Sequence, residues 1–363
     1  MNRKVRVSAE IVPLPLRFKF DAGTSRGVLR EKHNYLLKLR SPDFPGVFGI
    51  GEAGPLVGLS LDDRPDFFAS MQHIAKTVEQ CSFSTDRKAL MDEIAALVPL
   101  ELPSVRFALE TAFLDLVNGG IRRIFPNSFF DDQAPIPING LVWMGKADFM
   151  ERQIKEKIDA GFRCIKMKIG AIDFDTEWEL LYQIRKRYGK NEITLRVDAN
   201  GAFTPADALA KLERLKELNI HSIEQPIQAG QYDEMAALCR HSPVPIALDE
   251  ELIGIPRESE MRSILSHLKP TYIILKPTLL GGLGATAKWI SIAEGLGIGW
   301  WMTSALESNV GLNAIAQFAA TYSPDLPQGL GTGQLYHNNI ESPLTVRDGY
   351  LWYDARRPWG AME

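Results

Sequence analysis

Cysteine is scarce in this chain of 363 residues: Cys81, Cys164 and Cys239 are odd in number and far apart, which argues against a disulfide framework and suits a reducing cytoplasm. No apolar run approaches the roughly 18 residues of a membrane span. The opening MNRKVRVSAEIVPLPLRFKF alternates apolar and charged residues like a strand, without the apolar core and small-residue cleavage site of a signal peptide. The expected location is therefore the cytoplasm, with no membrane partner. Basic charge is not in excess either: the formal net charge is -4, which leaves no polyanion-binding footprint and sets nucleic acid aside. The six histidines show no i, i+4 pairing, so they offer no zinc site. The sequence does not set the oligomeric state and allows a homo-oligomer.

What is present divides into two patterns. Val5 to Phe20 and Lys32 to Arg40 alternate like antiparallel strands joined by a glycine-containing loop, Asp21 to Gly27. Phe67 to Glu79, Thr85 to Leu97 and Ser104 to Val117 follow with helical periodicity, so residues 1–130 read as an α+β module. Phe125 to Ile138, rich in proline and polar turn formers, crosses into a second unit. There the order becomes strand, helix, strand, helix. Strands are expected at Ile138 to Trp143, Cys164 to Ile169, Thr194 to Asp198, Ser222 to Glu224, Ile246 to Asp249, Tyr272 to Lys276 and Gly299 to Met302, with a weak eighth near Gly329. Amphipathic runs such as Lys146 to Ala160, Asp175 to Arg187 and Pro205 to Leu218 lie between them. The fold class expected is α/β, a modified (β/α)8 barrel of (β/α)7β type over 131–339, capped by the α+β domain, with 340–363 packing back on the cap. An open doubly wound sheet would announce a phosphate-binding glycine turn after its first strand, and none follows Val142. Gly49-Ile-Gly-Glu-Ala-Gly54 has dinucleotide-fingerprint spacing, but Pro55 and Gly58 follow where a helix should open. The expectation is a flexible loop of the first domain that closes over the barrel mouth.

The chemistry is carried by Lys166-Met167-Lys168, then Asp198, Glu224 and Asp249, then Lys276. The carboxylates each end a short β-like segment, at intervals of 26 and 25 residues, about one strand, one helix and two loops apart. In a parallel barrel, residues at successive strand C-termini converge on one mouth, so three anionic oxygens would ring a hard cation. Oxygen-only ligation favours Mg²⁺, with Mn²⁺ as the alternative. Strand alternation puts Lys166 and Lys168 on one side, where mutual repulsion and desolvation depress the pKa of one and make it usable as a base. Unrelated strand-end caps and solvated charges are the plainer reading of these residues, and the matched positions in consecutive repeats stand against it.

Together these residues, with the phrases RVDANGAF, IEQPI, IALDE and LKPTLLGG, resemble the muconate-lactonizing-type subgroup of the enolase superfamily across essentially the whole chain. The resemblance implies Asp198, Glu224 and Asp249 as metal ligands supported by Asn200 and Glu250. It implies Lys168 as base, Lys166 tuning it, and Lys276 on the opposite face. Ala22-Gly-Thr-Ser-Arg-Gly27 and Ser304-Ala-Leu-Glu-Ser308 look like the o-succinylbenzoate synthase family, whose members dehydrate 2-succinyl-6-hydroxy-2,4-cyclohexadiene-1-carboxylate in menaquinone biosynthesis. On that likeness Ser25, Arg26, Ser304, Ser308, Gly331 and Thr332 are expected to meet a small carboxylate substrate. Leu330-Gly-Thr-Gly-Gln334 lacks the Asp-x-Asp of the resembling dipeptide epimerases, which, with N-acylamino acid racemases, are the alternative reading.

Overall fold

The structure, a computed structural model, describes residues 3–24 and 27–362. Ser8–Thr24 and Gly27–Arg40 form an antiparallel ladder that Gly49–Ala53 extends on the far side. The ladder runs on past Phe20 to a Thr24 and Gly27 pair, so most of the loop expected at Asp21 to Gly27 is hairpin strand. A register shift between Arg17 and Ala22 explains the difference, because a bulge breaks the two-residue alternation from which the strand end was read. Phe67–Gln80, Arg87–Leu97 and Pro103–Val117 are helical, close to the expected runs.

Gly49–Ala53 corrects the flexible-loop expectation. Every residue of the segment is buried, and it is the third strand of the sheet. A Cβ at Gly49 would lie 2.0 Å from the Ala112 carbonyl oxygen, and one at Gly51 1.9 Å from that of Ala108. The first two glycines of the motif are therefore what allow the strand to lie directly on the helix Pro103–Val117.

The second unit is a parallel barrel. Its sheet follows the chain in order: Gly140–Val142, Cys164–Lys168, Thr194–Asp198, Ser222–Glu224, Ile246–Leu248, Tyr272–Leu275 and Gly299–Met302. The weak eighth strand amounts to two bridges, Gln328 with Ile138 and Gly329 with Thr303, which join the seventh strand region back to the first. Helices Ala147–Asp159, Phe174–Arg187 and Pro205–Lys216 pack outside, the last opened by a capping box between Thr204 and Asp207. Outward-facing Ile165, Met167, Leu195, Val197 and Ile223 join these helices in the core. Near the C-terminus, Tyr350–Tyr353 pairs with Leu344–Arg347 and with Ile136–Pro137, while Met362 packs with Leu36 and Ile50 of the N-terminal sheet.

Candidate active site

Alternation along Cys164–Lys168 sends Met167 into the outer core and leaves Lys166 and Lys168 facing the barrel interior. Parallel register then aligns Lys168 with Asp198 and Asp198 with Glu224, so the ends of the second, third and fourth strands stand at one level. Lys166 Nζ lies 2.6 Å from Glu224 Oε2 and 2.9 Å from Asp198 Oδ2. Lys168 Nζ is farther from Asp198, at 3.6 Å, and donates to Asn200 Oδ1 at 2.8 Å. Asn200 in turn donates to Glu250 Oε1 at 3.1 Å. Lys276 bonds Asp249 across the mouth.

Burial would lower all three lysines, and their neighbours decide the outcome. For Lys166 the adjoining Asp198 and Glu224 outweigh burial and hold the ammonium above its ordinary range. Asp249 and Glu224 do the same for Lys276. For Lys168 burial prevails: Asp198 offsets part of it, while the Lys166 and Lys276 charges depress it further. Among the carboxyls, burial and the adjacent Asp198 push Glu224 up to about 7 against the pull of Lys166. Burial acts on Asp198 as well, but Lys166 and Lys168 override it and hold Asp198 far below the usual carboxylate range.

Among the described residues no three His, Cys, Asp or Glu side chains stand as a preformed metal cluster; Lys166 is ion-paired with Asp198 and Glu224, and Lys276 with Asp249. The donor set nevertheless suits a cation. Glu224 Oε1 is buried and has no hydrogen-bond partner, and an anionic oxygen in that state is costly unless a cation meets it. Asp198, Glu224 and Asp249 offer only hard oxygen ligands at the ends of adjacent strands.

A cavity of about 450 Å³ opens above this cluster, with Lys166, Lys168, Lys276, Asp198 and Asn200 at its polar end. Its walls are largely apolar, from Phe20, Leu29, Leu56, Trp143, Phe149 and Leu306. Ser304, Gly331 and Thr332 line it, and the Thr332 hydroxyl is buried there without a hydrogen-bond partner. Ser308 does not line it; its hydroxyl bonds Glu52 at 2.5 Å and caps the helix Asn309–Ala320. Ser25 and Arg26 lie outside the described residues. Trp143, outside the expected site residues like the other apolar wall residues, sits with its ring 5.6 Å from Lys168 Nζ, and its place at the C-terminal end of the expected first strand is the signal that could have found it.

Residues 149–358 match the family described as "Enolase C-terminal domain-like". The chain is 46% identical over 357 residues to the o-succinylbenzoate synthase of Desulfotalea psychrophila, covering 93% of this chain and 96% of that one. It is 29% identical to the N-succinylamino acid racemase of Thermus thermophilus over 94% of this chain and 89% of the other. The crystal structure of MenC from Desulfotalea psychrophila superposes with a TM-score of 0.83 at 41% identity, over 96% of this chain and all of that one (100%). Muconate lactonizing enzyme from Pseudomonas fluorescens, at 23% identity, shares the fold with a TM-score of 0.81 over 96% and 93% of the two chains. With lysines and carboxylates at the strand ends of a modified barrel, an N-terminal α+β domain and these likenesses over nearly its full length, the chain belongs to the enolase superfamily.

Proposed function

We propose that the protein is an o-succinylbenzoate synthase, removing water from 2-succinyl-6-hydroxy-2,4-cyclohexadiene-1-carboxylate in menaquinone biosynthesis. The observation that carries this reading is the 46% identity over nearly the whole chain to a synthase, against 29% to a racemase. The cavity supports it. A largely apolar enclosure suits a cyclic hydrocarbon skeleton, and Leu330-Gly-Thr-Gly-Gln334, just after the eighth-strand bridges, carries none of the carboxylates with which the resembling epimerases grip a substrate ammonium group.

Mg²⁺ held by Asp198, Glu224 and Asp249 would supply Lewis-acid neutralisation of the charge that grows on the substrate carboxylate. Lys168 acts as base because it is the lysine whose charged form the site favours least. Its neutral Nζ takes the proton α to the carboxylate, and the C–H electron pair moves toward that carboxylate. The pair then forms the ring double bond as the bond to the 6-hydroxyl breaks. Lys168 returns its proton to the departing hydroxide, so water leaves from the face on which the first transfer occurred. Lys166, tied to two carboxylates, keeps its charge and steadies the developing dianion, and Lys276 does so from the opposite face. Thr332 offers its hydroxyl to the succinyl chain.

The test is turnover of the cyclohexadiene substrate with Mg²⁺, followed by absorbance of the aromatic product. Lys168→Ala is expected to lose at least about 10³-fold in kcat while its circular dichroism is unchanged. Racemisation of an N-acylamino acid in D₂O, without any dehydration of the cyclohexadiene, would overturn the reading.

A further inference from the structure

We propose that Glu307, which lines no part of the cavity, is a positioning residue. It shapes the turn Thr303 to Leu306 on the cavity wall, and Glu52 and Lys32 tie that turn to the loop Leu56 to Gly58, which lines the same cavity. This rests on the dehydratase reading above.

The turn is held in a shape it would not adopt alone. Leu306 has φ of 67°, a region that a branched side chain rarely visits. Its amide donates to Ser304 Oγ at 2.9 Å, and its carbonyl accepts from the Tyr336 hydroxyl at 2.8 Å. Ser304 Oγ in turn donates to Glu307 Oε2 at 2.6 Å, the Ala305 amide reaches the same oxygen at 2.8 Å, and Thr278 Oγ1 bonds Oε1. Both carboxylate oxygens are thus committed to the turn and to the short helix Pro277–Leu280 that follows the sixth strand. Because the Ser304 hydroxyl proton points at Glu307, the wall it shares with Ala305 and Leu306 presents backbone and apolar groups to the ligand.

One residue further on, the wiring crosses to the other domain. The amide and hydroxyl of Ser308 donate to Glu52 at 2.7 and 2.5 Å, and the Gly311 amide joins them at 2.8 Å. Asn34 Nδ2 donates to Glu52 at 2.5 Å, and Lys32 Nζ donates to Asn34 Oδ1 at 2.6 Å and to the Gly54 carbonyl at 2.9 Å. Leu56, Val57 and Gly58, just after Gly54, line the same cavity, and Leu56 packs in one cluster with Ala305 and Leu306. Lys32, Glu52, Asp62 and Glu307 are all buried, so one ammonium stands against three carboxylates that water does not reach. A polar network that dry holds its members in one arrangement, and the arrangement fixes the turn and the loop together.

The experiment compares wild type with Glu307→Gln and Glu52→Gln, as full-length protein with Mg²⁺, by steady-state kinetics and thermal melting. The amide introduced by Glu307→Gln turns one acceptor into a donor facing the turn, so KM is expected to rise about tenfold or more with kcat within about threefold of wild type. Glu52→Gln should move KM in the same direction from outside the cavity. The double variant should lose less than the product of the single effects, as members of one network do. An unchanged KM in Glu307→Gln, with only the melting temperature lowered, overturns the inference, as does a fall in kcat at constant KM. Should Glu307→Gln not fold, Thr278→Val removes one donor to the same carboxylate, and an unchanged KM there is equally fatal. Wild-type turnover separates the two readings: if only an N-acylamino acid is processed, the dehydratase reading fails and the KM comparison is made on that substrate instead.

Discussion

Glu110→Gln should make the protein's stability less sensitive to rising pH. Glu110 lies on Pro103–Val117, is 1% exposed, and accepts the backbone amides of Leu283 and Gly284 where the barrel helix Gly282–Gly295 begins. The facing helix presents only backbone there, and the nearby charge is Arg106, one turn earlier on the same helix. Burial raises the Glu110 carboxyl to about 8, more than those amides and Arg106 pull it down. In the unfolded chain it titrates near 4.3. Between these values the folded state keeps a proton that the unfolded state releases, so the contribution is complete below about 4.3 and is lost as pH rises through about 8. One proton corresponds to about 1.4 kcal/mol per pH unit, hence up to about 2.7 kcal/mol between pH 5.5 and 7.5. The side-chain amide of Glu110→Gln can still accept from Leu283 and has nothing to titrate. Urea unfolding followed by tryptophan fluorescence, at half-unit steps across that window and fixed Mg²⁺, should show the variant's stability falling less steeply by about 1 kcal/mol per unit. Parallel wild-type and variant curves would refute the argument.

Gly51→Ala should place a methyl carbon against the Ala108 carbonyl and cost about 3 kcal/mol or more. For a protein of this size that is a fall of roughly 4 °C or more in Tm, and an unchanged Tm would return the segment to a loop that merely flexes. Stripping divalent cations with EDTA should abolish turnover and lower Tm, and added Mg²⁺ should restore both, the second by mass action on the folded state. Full activity in the chelator would remove the metal from the scheme.

Legibility followed the range of the interactions. The barrel strands Thr194–Asp198, Ser222–Glu224 and Gly299–Met302 end where their apolar runs end, because each is a short buried strand bounded by turn residues. The eighth was faint since it is two bridges and not a ladder. The hairpin outran its expected end because a bulge hides alternation, and the glycine strand was misread because its partner, Pro103–Val117, is more than fifty residues away. Ser308 was read as a wall residue along with Ser304, as if the phrase ran straight along the mouth. The left-handed Leu306 reverses the chain between them, so Ser304 lines the cavity and Ser308 meets Glu52 across the domain boundary. A bond between residues 256 positions apart leaves no periodicity to read.

Alternation along the second strand brings Lys166 and Lys168 to one side, but does not by itself separate the two as candidates for the proposed base. The neighbours separate them. Lys166 stands within 3 Å of two carboxylates and Lys276 is bonded to a third, so removing a proton from either would leave buried anions uncompensated. Lys168 has its nearest carboxylate at 3.6 Å and a neutral amide as its hydrogen-bond partner, with two other ammonium groups contributing repulsion. Its neutral form costs the site least, and Asn200 can hold it in place in either protonation state, because an amide oxygen accepts from an amine as well as from an ammonium. The same geometry fits the proposed single proton transfer: two lysines balance the carboxylates that the fold gathers at the strand ends, and the third is left without a close carboxylate of its own.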